Sequence, residues 1–165
     1  MNQMVLRMQR ITNLDRDEAL PTDFNALLSD VTDPLKSAAP VFNGCRIGLA
    51  GPCGALNSTV VSAVFSNLLQ NAIDASGGAG TVKISTRQLS GSVEIVFQDG
   101  GEGISCEELI HVFDPAFKVG AGRVSTGNWG LFSSRQIVRE CGGDISIQSS
   151  SSQGTVVRIV LPTHQ

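Results

Sequence analysis

The sequence predicts an α+β fold, a two-layer sandwich whose mixed sheet of about five strands carries about three helices on one face. Three observations predict it. Two pairs of short segments alternate apolar and polar residues, 81–88 with 92–98 and 144–149 with 155–161. Each pair closes through a turn, Leu89-Ser90-Gly91 in the first and the polar tip 150–154 in the second, so the strands come as hairpins. Segments with helical apolar spacing are inserted between them. The chain of 165 residues has the length of one domain and can bury an ordinary core.

Taken in order, residues 1–17 hold Met4, Leu6, Met8 and Ile11 in no clean register and run into the charged stretch 15–18. Residues 1–20 therefore read as a frayed helix end plus linker, and 21–165 as the domain. Pro21-Thr22-Asp23 is a helix start signal, followed at helical spacing by Phe24, Leu27, Leu28, Val31 and Leu35. Pro34 in that run predicts a kink or an early end. Residues 45–50 alternate as a short strand between glycines. Asn57-Ser58-Thr59 can cap a long helix over 60–75, which Gly77-Gly78 ends. Residues 105–111 form a short helix capped by Ser105, with acids in the first turn to suit the dipole. Residues 114–128 carry no periodic pattern, one proline and three glycines, and predict a loop. A structureless loop of that length in a compact domain usually has a function. Residues 129–141 read as a helix closed by Gly142-Gly143.

The net charge of −3 gives no support to a nucleic-acid groove or a polybasic anchor. No apolar run approaches the roughly 20 residues of a membrane span. The mixed N-terminus is not a signal peptide. Cys45, Cys53, Cys106 and Cys141 show no C-x-x-C spacing, so they are expected as free, partly buried thiols in a reducing cytosol and not as a zinc site.

Two stretches carry the chemistry. In Ser66-Asn67-Leu68-Leu69-Gln70-Asn71-Ala72-Ile73-Asp74-Ala75, two carboxamides four residues apart share one side of a helix whose face is otherwise filled by core residues. Polar groups there are costly unless something satisfies them. In Gln98-Asp99-Gly100-Gly101-Glu102-Gly103-Ile104 a strand ends in an acid followed by three glycines in four positions. Such open backbone can lie flat on a planar ligand while the carboxylate accepts a hydrogen bond from it. The pair suggests a nucleotide pocket between a helix and a strand end.

N-L-L-x-N-A-x-D-A followed by D-x-G-x-G-I resembles the ATP-binding catalytic domain of sensor histidine kinases. That domain belongs to the GHKL superfamily, which also holds gyrase, MutL and the heat-shock chaperones. The resemblance runs from about residue 23 to 162 and includes Val112-Phe113-Asp114-Pro115-Ala116-Phe117, Gly130-Leu131 with Arg135-Gln136-Ile137-Val138, Gly142-Gly143-Asp144-Ile145 and Gly154-Thr155. It implies the same fold, with ATP and Mg²⁺ as cofactors.

By that resemblance Asn71 matches the residue that binds Mg²⁺ through its side-chain oxygen, where phosphates and water supply the other ligands. Asn67 stands where hydrolytic members carry a glutamate that activates water, and an amide cannot take that proton. The substitution argues for phosphoryl transfer to a histidine, which brings its own nucleophilic nitrogen, and against an ATP-driven clamp. Asp99 matches the aspartate that accepts from the adenine amino group, with Gly101 and Gly103 at the family spacing. Ile104 would pack on the purine, and Thr155 matches a threonine near the adenine. Residues 119–128 correspond to the ATP lid, with Lys118 and Arg123 as phosphate neighbours, followed by Gly130 and Leu131 at a helix start facing the phosphates. The plainer readings are a turn-forming Asp99 before glycine and solvated loop charges at Lys118 and Arg123.

The lid departs from the family's G-x-G-x-G-L, reading Thr126-Gly127-Asn128-Trp129-Gly130-Leu131, so only Gly130 of the three glycines keeps its place. The two lost glycines favour an alternative, a degenerate kinase-like signalling module with weak or no nucleotide binding. The two asparagines and D-x-G-x-G favour the enzyme. Neither His111 nor His164 has the context of a phosphoacceptor. The chain is therefore expected to be a histidine kinase catalytic fragment, inactive alone. Its expected partners are a phosphoacceptor helical hairpin of the same receptor and a response regulator, with no nucleic acid and no membrane contact by this fragment. The full-length protein is expected as a cytoplasmic or membrane-anchored homodimer with this domain in the cytoplasm.

Overall fold

The computed structural model describes residues 23–38, 42–46, 58–77, 81–115, 117–120, 123–126 and 129–163, with side chains at 23–33, 58–77, 81–115 and 129–163. Expectations on residues 1–22, on Asn57 and Cys53, on Gly127 and Asn128, and on His164 lie outside the described residues, as do those on the side chains of Cys45, Lys118 and Arg123.

Two layers make the domain. The sheet holds β1 (Phe42–Arg46), β2 (Val82–Leu89), β3 (Ser92–Asp99), β6 (Asp144–Ser149) and β7 (Thr155–Pro162) in the order β1-β2-β3-β7-β6. Only β1 runs parallel to its neighbour; the other three pairings are antiparallel, so the sheet is mixed as expected. The layer of helices is α1 (Phe24–Ala38), α2 (Ser58–Ala75) and α4 (Trp129–Glu140), with the single-turn α3 (Cys106–Leu109) after β3.

Helix α2 lies at the centre because its apolar residues recur at helical spacing. Val61, Val64, Phe65, Leu68, Leu69 and Ala72 are all buried. They meet the inward side of the sheet, where Val93, Ile95 and Phe97 of β3 alternate with residues of the other face. Tilted aromatic rings link the layers, Phe24 to Phe65 at 6.3 Å and Phe65 to Phe97 at 5.9 Å. On the other face of the sheet Glu94 is nearly buried between Arg87, at 2.9 Å, and Arg158, at 3.3 Å, on the two flanking strands. Helix α1 starts as the sequence predicts, with Asp23 Oδ1 accepting from the Asn25 and Ala26 N–H groups at 2.9 and 3.3 Å.

The structure corrects several expectations. Of the kink or early end expected at Pro34, the early end does not occur: helix α1 runs on to Ala38, because burial of Phe24, Leu28 and Thr32 anchors the preceding turns and proline costs one N–H near the helix end. Of the strand expected over 45–50, residues 45 and 46 are in β1 and 47–50 lie outside the described residues; β1 also takes in 42–44, where the edge of β2 offers a partner that alternation alone cannot locate. The stretch 114–128 is not all loop. It holds the antiparallel ribbon of β4 (Phe117–Gly120) and β5 (Arg123–Thr126). Each strand has four residues, too few for a period to register, although Phe, Val and Thr favour strand. Cys141 is a half-buried free thiol as expected, whereas the free thiol Cys106 is exposed at the start of α3. No helix among the described residues is long and apolar enough to cross a membrane.

Phe65 joins both layers, so Phe65→Ala should cost about 3–5 kcal/mol in urea denaturation, the range for deleting a buried aromatic ring. A loss below about 1 kcal/mol, the size of a surface substitution, would mean the layers do not depend on this ring.

Candidate functional site

The antiparallel register of β3 and β7 sets Asp99, the last residue of one, opposite Thr155, the first of the other. Asp99 is 6% exposed. Its Oδ1 accepts from the Gly101 N–H at 2.9 Å and the Thr155 N–H at 3.2 Å. Among the described residues no donor meets Oδ2. The carboxylate is therefore held by one oxygen and offers the other.

The loop after Asp99 and the tip between β6 and β7 lie directly on each other. Gly103 has φ +72°, and a Cβ there would overlap the Ser150 carbonyl, so the position needs glycine for both conformation and space. Ser152 N–H donates to the Glu102 carbonyl at 2.6 Å. Ser149 binds the two segments from within: its Oγ accepts from the Ile104 N–H at 2.8 Å and donates to the Gly154 carbonyl at 2.8 Å. With that proton committed, the 2.9 Å contact between Ser149 and Thr155 has the Thr155 hydroxyl as donor. Ile104 is half-buried on this framework.

The last turn of α2 meets this loop, since a Cβ at Gly101 would overlap the Ala75 carbonyl, and the helix carries a polar flank. Asn67 and Asn71 share a side of the helix as their spacing predicts, but that side borders the core stripe instead of belonging to it. Asn67 is half-buried and Asn71 exposed. The apolar stripe passes through Leu68 and Ala72, one residue further round, which turns both amides off the core, Asn67 against the start of α4. Asn67 Nδ2 donates to Ser134 Oγ at 3.1 Å. Gly130, in the first turn of α4, leaves room for the other end of that amide, since a Cβ at 130 would overlap Asn67 Oδ1. Leu131 packs against the core. Asp74, to which no role was assigned, accepts from Gln70 Nε2 at 2.8 Å on the surface.

Trp129 opens α4 half-buried, edge-on to Phe132 at 5.7 Å. Arg135 lies over the Phe113 ring at 4.7 Å, tying α4 to the segment that follows α3. Lys118 and Arg123 stand on the paired strands β4 and β5, Lys118 opposite Ser125 and Arg123 opposite Gly120. No group of three or more His, Cys, Asp or Glu that could hold a metal occurs among the described residues. The residues Ser149 and Ser134 were not found from the sequence. Ser149 sits at the head of a serine run that reads only as a turn, and Ser134 meets Asn67 across 67 positions of chain.

A helix with carboxamides on one flank and a strand that ends in a buried carboxylate, on an α+β sandwich, are parts of the plan of an ATP-binding domain. The chain belongs to the family of histidine kinase-, DNA gyrase B-, and HSP90-like ATPases, which matches residues 57–165. It is 27% identical over 172 residues to the alginate biosynthesis sensor protein KinB of Pseudomonas aeruginosa, covering 98% of this chain and 29% of that protein. It is 30% identical over 140 residues to sporulation kinase C of Bacillus subtilis, covering 85% of this chain and 30% of that one. The catalytic domain of the histidine kinase ThkA superposes with a TM-score of 0.74 at 25% identity, over 86% of this chain and 95% of that chain. Within the family, then, the chain is the ATP-binding catalytic domain of a sensor histidine kinase. It spans less than a third of the length of these curated relatives.

Burial pushes the Asp99 carboxyl above its ordinary 3.8, while the Gly101 and Thr155 N–H groups pull it the other way. A raised folded-state pKa means that the folded state holds the proton more tightly than the unfolded chain does. The group therefore favours folding below pH 3.8, and that contribution is lost as pH rises through the raised value. Asp99→Asn removes the titration. The stability of wild type relative to Asp99→Asn, from urea denaturation at a series of pH values, should fall as pH rises through this window. A difference that climbs with pH would mean that the two N–H donors outweigh desolvation.

Proposed function

We propose that the cleft between α2 and the Asp99 loop binds Mg²⁺·ATP and transfers its γ-phosphoryl group to a histidine on a helical hairpin outside this chain. The observation that carries this reading is the Asp99 carboxylate, pinned through Oδ1 with Oδ2 left for a ligand donor such as the adenine amino group. Gly101 and Gly103 hold the loop open beside it, and Ile104 and Thr155 line the same pocket.

The exposed carboxamide of Asn71, one turn from Asn67, suits an ion already carried by phosphates. A bare metal would need the acidic cluster that the described residues lack. Asn71 would hold Mg²⁺ with the phosphates, and the ion would supply neutralisation of charge during transfer. The N-terminus of α4, with Gly130 and Leu131 in its first turn, would set the positive end of the helix dipole against the phosphates. Lys118 and Arg123, on the ribbon just before it, add cationic partners. Asn67 withholds a base: its amide cannot take a proton from water, so hydrolysis is not promoted. The attacking histidine nitrogen supplies its own lone pair, a N–P bond forms, the bond from Pγ to the β,γ-bridging oxygen breaks, and ADP leaves.

The phosphoryl group then passes to a response regulator. ThkA, a structural neighbour at 21% identity, was solved in complex with the response regulator TrrA, which supports a partner of that kind. The whole protein acts as a homodimer with this domain in the cytoplasm.

Isothermal titration tests the adenine and metal assignments separately. Asp99→Asn should weaken ATP and adenosine alike by about 1.5–3 kcal/mol, the value of a hydrogen bond to a charged group. Equal affinity in wild type and variant would sink the adenine assignment. Asn71→Ala should abolish the gain in ATP affinity on adding Mg²⁺ while leaving adenosine binding unchanged. An undiminished Mg²⁺ dependence would remove Asn71 from the site.

Trp129 provides an independent optical test, as the chain has one tryptophan and no tyrosine. Half-buried at the head of α4, its emission should shift more with Mg²⁺·ATP than with adenosine. Identical spectra for the two, with binding demonstrated calorimetrically, would mean that the phosphates do not reach the start of α4.

A further inference from the structure

A carboxamide carries a donor and an acceptor, and a hydrogen bond at one end fixes where both stand. In Asn67 the Nδ2 end is bonded to Ser134 Oγ at 3.1 Å, and Ser134 is only 2% exposed. The Oδ1 end lies over Gly130, one helical turn earlier on α4, where any Cβ would overlap it. The amide is thus laid along the first turns of α4, with its donor toward the interior and its acceptor toward the helix start. A buried helix position takes an apolar residue at no polar cost, whereas a serine hydroxyl must find a partner there. Ser134 finds Asn67.

We propose that Ser134 is a positioning residue: its hydroxyl anchors the Asn67 carboxamide and so fixes where that amide stands for the triphosphate. The inference rests on the ATP-binding reading above and adds to it the residue that holds Asn67 in place. Gly130 provides the space and Ser134 the anchor. Removing the hydroxyl leaves the amide untethered, with its donor half-buried and unanswered.

Two measurements on the 165-residue chain test this. In side-chain amide ¹⁵N–¹H spectra without nucleotide, the Asn67 pair is identified by its loss in Asn67→Asp. Ser134→Ala should shift that pair and speed its exchange with water. In titrations, Ser134→Ala should bind Mg²⁺·ATP about 3–10-fold more weakly, the worth of one neutral hydrogen bond, and bind adenosine as wild type does. The double variant with Asn67→Ala should lose no more than Asn67→Ala alone. An unmoved Asn67 signal, additive losses, or equal weakening toward adenosine would overturn the inference and leave ATP binding in place. A wild-type chain that binds no nucleotide would overturn the catalytic-domain reading, and this inference with it.

Discussion

Asp99 stands where three backbone paths meet, and one of its oxygens ties two of them down. Oδ1 receives N–H groups from the glycine loop that follows it and from the first residue of β7. The second donor is in reach only through the β3–β7 register, which sets Asp99 against Thr155, and that register depends in turn on the alternation that buries Val93, Ile95 and Phe97. A carboxylate buried this deeply is stabilised only in part by two N–H groups. The described residues therefore leave a residual demand for a donor at this carboxylate. Ser149 extends the same arrangement by fastening Ile104 and Gly154 to one hydroxyl, which keeps the loop and the hairpin tip in contact.

The opposite wall follows from the amphipathic character of α2. Its apolar stripe is wide enough to seat it on the sheet, and the residues just off the stripe are presented to α4. Asn67 and Asn71 occupy that margin, one half-buried against Gly130 and Ser134, the other open. Carboxamides suit such a position because they remain neutral and offer both a donor and an acceptor. A glutamate in place of Asn67 would bring a charge and a base to the same spot. The chemistry of the domain is thus set partly by what this helix margin omits.

Much of this was legible in the sequence, for a physical reason. The two hairpins, α2 and α4 announce themselves through periods and caps that depend only on neighbouring residues, and Asp99 with its glycines is a local motif. The legible part ends where partners are distant or elements short. Strand β1 is placed by the edge of β2, so its start at Phe42 cannot be seen from its own alternation. The four-residue strands β4 and β5 are too brief to show a period. Pro34 signals a helix end that the buried turns before it override. The motif spacing placed the asparagines on one side of α2, but whether that side is core or margin depends on which residues the sheet and α4 meet. Ser134 and Ser149 carry no signal at all until the chain is folded.

The bond between Thr155 and Asp99 spans 56 positions, and that between Asn67 and Ser134 spans 67. Closing loops of that size costs chain entropy before any contact returns it, whereas the β2–β3 and β6–β7 hairpins close over a few residues. These long-range contacts are therefore among the last that a folding chain can make. During synthesis Asp99 has no second donor until Thr155, 56 positions later, has left the ribosome. Any ligand that reads the completed arrangement adds its binding energy only to the finished domain.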